Sequence, residues 1–169
     1  AIAFITDHDT NIYYGIKDDS KSDFEIEFYD NAMKRNWVTY GPDDEYDFEN
    51  AGEAFQDEQY VGSLIAKRKG MMSFDFEFEL LVQSVADGKT LFRIPMVSSK
   101  YNLSLSEVFF NNDKQQFVIF GEFFNKDEKV IKAQSQGFIT MVLDMKGKII
   151  SEKANSWVSD INKLVAAKD

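Results

Sequence analysis

The feature that most constrains this chain is a strict alternation of apolar and charged side chains over short stretches. In Asp23-Phe24-Glu25-Ile26-Glu27-Phe28 the apolar side chains share one face of an extended backbone and the carboxylates share the other. Ser73-Phe74-Asp75-Phe76-Glu77-Phe78-Glu79-Leu80 repeats the arrangement. A period of two marks β-strands with one face buried and one wet. Phe138-Ile139-Thr140-Met141-Val142-Leu143 is instead apolar on both faces, which predicts an inner strand covered on both sides.

Clusters of Asp, Asn, Gly and Lys punctuate these runs: Asp7 to Asn11, Lys17 to Ser22, Asp87-Gly88-Lys89, Asn111 to Lys114, Asn125 to Glu128 and Met145 to Lys148. Such residues supply the positive φ of tight turns, so each cluster is read as a hairpin turn. Short strands joined this closely must be antiparallel, because parallel neighbours need long crossovers. A short helix is expected at the C-terminus, where Val158, Ile161, Leu164 and Val165 follow the capping residues Asn155 and Ser156; an outer strand with a frayed tail fits as well.

Three units align along the chain, each with an apolar strand, a second strand near a Gly, a third strand, an Asp turn and a fourth strand toward an aromatic. The first runs through Ala3–Thr6, Ile12–Ile16 with Gly15, Phe24–Tyr29 and Trp37. The second runs through Ala54-Phe55, Tyr60–Ala66 with Gly62, Phe74–Val82 and Phe92. The third runs through Val108–Phe110, Phe117–Phe123 with Gly121, Phe138–Leu143 and Trp157. The marker glycines lie 47 and 59 residues apart, near the repeat length of a β-propeller blade, and four strands is the blade count. The expectation is an all-β domain over residues 1–169, with units at about 1–48, 49–104 and 105–157 and a tail or helix at 158–169. Glycine in the second strand suits close backbone approach, and the terminal aromatic would fill the space between neighbouring blades.

Phe117-Val118-Ile119-Phe120-Gly121-Glu122, followed by Gly137 to Asp144 and Gly147, resembles a degenerate blade motif of exported bacterial propellers. The Phe-, Asn- and Lys-rich style is similar to uncharacterised exported propeller-like proteins of Bacteroidota. The resemblance implies architecture and an extracytoplasmic location, in the periplasm or at the cell surface, with the cytoplasm as the alternative, but no activity. A closed propeller needs about four or more blades. Three units therefore predict a piece of a longer protein, completion by assembly, or another β architecture such as a meander or sandwich. The start at Ala1, without Met and already strand-like, reads as processed or excised.

Charge narrows the partners. The net charge is −10, and residues 1–60 hold 16 acidic against 4 basic side chains. An acidic first third repels phosphate backbones and anionic membrane surfaces, which argues against nucleic acid. With 16 Phe and 44% hydrophobic residues the chain has material for a core, but no run long enough to span a membrane. The absence of cysteine excludes thiol catalysis, disulfides and thiolate metal sites.

Catalytic patterns are sparse. His8, the only histidine, lies between Asp7 and Asp9, and no Gly-x-Ser-x-Gly elbow accompanies it. Asp7-x-Asp9-x-Asn11 opens like a calcium loop but lacks the Gly and Glu that complete one. Calcium therefore stays a minor expectation, and no cofactor is expected. The segment Asp43-Asp44-Glu45-Tyr46-Asp47-Phe48-Glu49 could meet a cation, a basic surface or a sugar stacked on Tyr46; as a solvated loop it needs no ligand. In the pairs Tyr13-Tyr14 and Phe123-Phe124 one ring of each points to the outer face of its strand, where it forms a contact surface or, as is more usual in a propeller, is buried against the next blade. These observations favour a non-enzymatic binding or scaffold module contacting a protein or a glycan. The alternatives are part of a carboxylate-based glycan hydrolase or lyase, and a structural subunit of an envelope complex.

Overall fold

A computed structural model of the chain describes residues 2–10, 21–40, 48–56, 58–68, 76–126 and 134–157. All regular elements among them are strands, forming three antiparallel meanders. The first comprises β1 (Ile2–Thr10), β2 (Lys21–Tyr29) and β3 (Arg35–Tyr40). The second comprises β4 (Phe48–Gln56), β5 (Tyr60–Arg68), β6 (Glu77–Ser84) and β7 (Thr90–Pro95). The third comprises β8 (Tyr101–Asn111), β9 (Gln116–Asn125), β10 (Gly137–Leu143) and β11 (Ile149–Ser156). A single parallel bridge, Ser22 to Phe48, joins the first two meanders into one seven-stranded sheet, and the third is a separate four-stranded sheet.

The meanders pack in three layers with the second in the middle. On one of its faces Val61, Ile65 and Leu81 meet Phe24, Ile26 and Phe28 of the first meander. On the other, Leu64, Leu80 and Val82 meet Phe117, Ile119, Ile139 and Met141 of the third. Because alternate residues of a strand point to opposite faces, β5 and β6 are buried continuously from Val61 to Ile65 and from Leu80 to Gln83.

One turn design recurs. The Asp30 backbone N–H donates to the Lys34 carbonyl at 3.0 Å, and its carboxylate accepts from the N–H groups of Ala32 and Lys34. Asp144 does the same with the Lys148 carbonyl and the N–H groups of Lys146 and Lys148. Each turn needs a positive φ three residues on, supplied by Met33 (59°) and Gly147 (79°). The β6–β7 turn is one residue longer, with Ser84 N–H bonded to the Lys89 carbonyl and Gly88 at φ 70°. Aligning these turns makes Phe28, Val82 and Val142 equivalent, with Trp37, Phe92 and Ser151 as their cross-strand partners. Trp37 of the first meander lies over Gly88 of the second and donates to the Val85 carbonyl at 2.9 Å. Phe92 of the second lies over Gly147 of the third. The layers therefore follow one another in the same sense, each wedging an aromatic over the next turn.

Several expectations change. In the first unit β1 pairs directly with β2, from Ile2–Tyr29 to Thr10–Lys21, so no strand separates them; the expected strand Ile12–Ile16 lies outside the described residues. Asp7 to Thr10, expected as a turn, continues β1. Among the described residues β10 has a layer packed on one face only, because its sheet ends the stack: Ile139, Met141 and Leu143 are buried, while Phe138, Thr140 and Val142 are half-buried. The third meander begins at Tyr101, inside the expected second unit. Asn155 and Ser156, expected as helix caps, pair with Phe138 and Gly137 in β11. The expected helix over 158–169 lies outside the described residues. The aromatic expected to close the third unit, Trp157, is not the equivalent of Trp37 and Phe92; that place belongs to Ser151.

Of the three marker glycines, Gly62 and Gly121 sit at close approaches, and Gly15 lies outside the described residues. A Cβ on Gly121 would lie 2.3 Å from the Ser104 carbonyl oxygen, at the bulge between Leu105 and Glu107. Gly62 lies under the ring of its cross-strand partner Phe55.

Candidate functional site

A cleft of about 170 Å³ opens at the seam between the second and third meanders, lined by Lys67, Phe76, Glu79, Ser98, Tyr101 and Lys126 among others. Its position follows from the connection between the two sheets. After Pro95 ends β7, Met96 and Ser98 turn inward and Val97 outward, and β8 starts at Tyr101. The Tyr101 ring packs on Phe123 at 4.6 Å, which holds the cleft wall against the core.

The floor carries a charged network. Glu79 accepts from Lys67 Nζ through Oε1 and from Arg93 Nε through Oε2, each at 2.5 Å. Lys67 is only 5% exposed, so its ammonium is taken out of water and needs this counter-charge. Burial pushes the Glu79 carboxyl up, but hydrogen bonds from Lys67 and Arg93 outweigh it and hold the group below its ordinary value. Glu79 is therefore ionised at neutral pH.

Above the floor, the buried Ser98 accepts from the N–H groups of Lys100 and Tyr101 at 3.1 and 3.3 Å and donates to Glu152 Oε1 at 2.9 Å. Lys126 Nζ donates to the Ser98 carbonyl at 2.9 Å. The arrangement presents fixed polar groups beside apolar walls, the ordinary chemistry of a small recognition site. A general acid needs a raised pKa, and Glu79 has the opposite.

The residues singled out in the sequence are scattered. Asp7, His8 and Asp9 lie in β1, paired with Phe24, Asp23 and Ser22. Asn11, Tyr13, Tyr14 and the acidic segment from Asp43 to Asp47 fall outside the described residues, and Phe48 and Glu49 open β4. Phe123 and Phe124 are both buried, the second of the two outcomes expected for that pair. Among the described residues the exposed phenylalanines are Phe76, Phe109 and Phe120. Among the described residues no group of three or more His, Asp or Glu could hold a metal ion, and no helix is long and apolar enough to cross a membrane.

The cleft was not legible in sequence because Lys67, Glu79 and Arg93 come from three strands. The available signal was Lys67 itself, the first of the three cations Lys67-Arg68-Lys69 and directly joined to the apolar stretch Leu64-Ile65-Ala66. A family model described as a family of unknown function (DUF6770) matches residues 4–169. No curated protein and no solved structure matches the chain.

Proposed function

The chain belongs to that family of unknown function, and from this premise we infer that it is a non-enzymatic binding or scaffold module of propeller-like build, exported and in contact with a protein or a glycan. The observation that carries the reading is the head-to-tail stacking, in which Trp37 and Phe92 wedge over the turn glycines Gly88 and Gly147 of the following layer. Propeller blades succeed one another in this way, and folds of that kind present faces and seams to partners.

The cleft favours recognition over turnover. At about 170 Å³ it is smaller than the roughly 300 Å³ at which small-molecule pockets begin, so it suits one sugar ring or one side chain of a larger partner. The carboxylate on its floor, Glu79, is engaged by two cations and has no proton to give near neutrality; Glu77 also lines the cleft. Tyr101, Ser98 and Lys126 would supply a ring edge and polar contacts to such a group.

The test is a screen of the protein against a glycan panel, with and without calcium, reading binding and product release together. Binding without turnover is expected. Release of shortened glycans would replace this reading with a carboxylate-based hydrolase or lyase. Fractionation of source cells addresses export, and recovery of the protein in the cytoplasm alone would remove that part.

A further inference from the structure

The outward face of the third meander combines an exposed apolar strip with a gap. Cross-strand register places its side chains in rows running from β8 to β11: Phe109, Val118, Val142, Ser151; then Glu107, Phe120, Thr140, Lys153; then Ser104, Glu122, Phe138, Asn155. Phe109 is 52% exposed and Phe120 37%, and Phe120 stacks on Phe138 at 5.5 Å. In the first two meanders the equivalent face is covered by the next layer.

A further layer in the same sense fits this face poorly. The aromatic wedge of the earlier layers, Trp37 and Phe92, is replaced by Ser151, and Ile26 and Leu80 are replaced by Thr140. At the opposite end of the stack the outward side of β2 carries Glu25, Glu27 and Tyr29, with Arg35 paired to Glu27, while register sets Ile2 and Phe4 of β1 and Val38 of β3 at the same side. A copy added head to tail would set the β2 carboxylates against the Phe109–Phe120 strip.

The face does complement itself. A two-fold axis parallel to the strands, between β9 and β10, sets β8 of one copy over β11 of the other. Phe109 then meets Ser151, a large ring over a small side chain. Val118 meets Val142, Phe120 meets Thr140 and Glu107 meets Lys153 of opposite charge, while the third row, where Glu122 falls over Phe138, lies at the edge of the patch. An isologous contact requires this self-complementarity, and aligned sheet packing supplies the geometry. We propose that the β8–β11 face is a homodimer interface in which two copies of the chain pack face to face about such an axis. The proposal does not depend on whether the module binds a glycan or a protein.

Sedimentation velocity of the chain over a micromolar concentration series tests it. A species of twice 19.5 kDa is expected. Ser151→Trp fills the gap and Phe109→Ala removes the ring, and each should weaken association at least about tenfold with an unchanged melting temperature. Glu107→Lys and Lys153→Glu should each weaken it, and the double variant should restore it to within roughly threefold of the parent. A monomer at every concentration overturns the proposal, as does a dimer indifferent to Ser151→Trp or a charge swap without restoration. A dimer that appears only after removal of residues 158–169 also overturns it, by making that segment the cover of the face.

Discussion

The second and third meanders share one plan and differ in surroundings. Both are four-stranded and antiparallel, and both carry a glycine in the second strand and a positive-φ turn before the fourth. The second has a layer on each side, so consecutive residues Leu80, Leu81 and Val82 are all buried. The third has a layer on one side, so its central strand β10 alternates between buried and half-buried. Burial in a layered β protein is thus set by a sheet's place in the stack, and equivalent positions differ in value.

The largest effect should separate these two sheets directly. Leu80→Ala in the middle sheet opens a cavity in a side chain with no exposure and should cost about 3 kcal/mol. Val142→Ala, two residues beyond the equivalent of Leu80 in the outer sheet, removes half-buried methyls and should cost under about 1 kcal/mol. Urea unfolding of both variants at dilution, where the chain is a monomer, gives the comparison, because in the proposed dimer Val142 meets Val118 of the second copy. Equal losses at dilution would mean that part of the chain itself covers the outer face.

The next effect probes the seam between the two sheets. Glu79→Gln removes the counter-charge of the buried Lys67 and should cost about 2–3 kcal/mol, whereas Lys67→Met, which removes the buried charge itself, should cost less. The Glu79 carboxyl is held below its ordinary value in the folded chain. Its stabilisation is therefore full above the unfolded value of 4.5 and lost as pH falls through the lower folded value. In Glu79→Gln that part of the acid sensitivity should vanish. An unchanged acid profile would mean that Lys67 and Arg93 do not hold the carboxylate in solution.

These contrasts explain what the sequence could and could not convey. The strands of the third unit were legible as Phe117–Phe123 and Phe138–Leu143 because Asp- and Gly-bearing turns bound them; they became β9 and β10 with ends shifted by one or two residues. Coverage was not legible. Phe138–Leu143 looked doubly buried and is not, while Leu80 to Gln83 follows an alternating stretch and is buried throughout, because neighbouring layers leave no local pattern. Trp157 was chosen as the third wedge on its aromatic character. Register, which depends on the bulge between Val142 and Leu143, gives that place to Ser151. The cleft escaped for a related reason: its charges meet across β5, β6 and β7, at spacings that no single-strand motif contains.

The smallest effect concerns the turns that repeat between layers. The Asp144 carboxylate accepts two backbone N–H bonds, which hold its carboxyl below the ordinary value. The corresponding Ser84 of the second meander accepts one longer backbone bond, from the Ala86 N–H at 3.2 Å, and donates to the Asp87 carboxylate, and its turn also carries Trp37 packed over Gly88. The third turn should therefore depend on its side chain and the second on its cover. Asp144→Ala should lower the melting temperature near neutrality by a small, measurable amount, and Ser84→Ala by less. The Asp144 contribution is complete above its unfolded value of 3.8 and disappears as pH drops through the lower folded value, so the Asp144→Ala deficit should hold down to that unfolded value and shrink below it. Asp144→Asn keeps an acceptor oxygen and should lose the pH dependence while retaining part of the stability. If Ser84→Ala proves the more damaging, the side chain rather than the aromatic wedge secures the second turn, and the contrast between the layers narrows to burial alone.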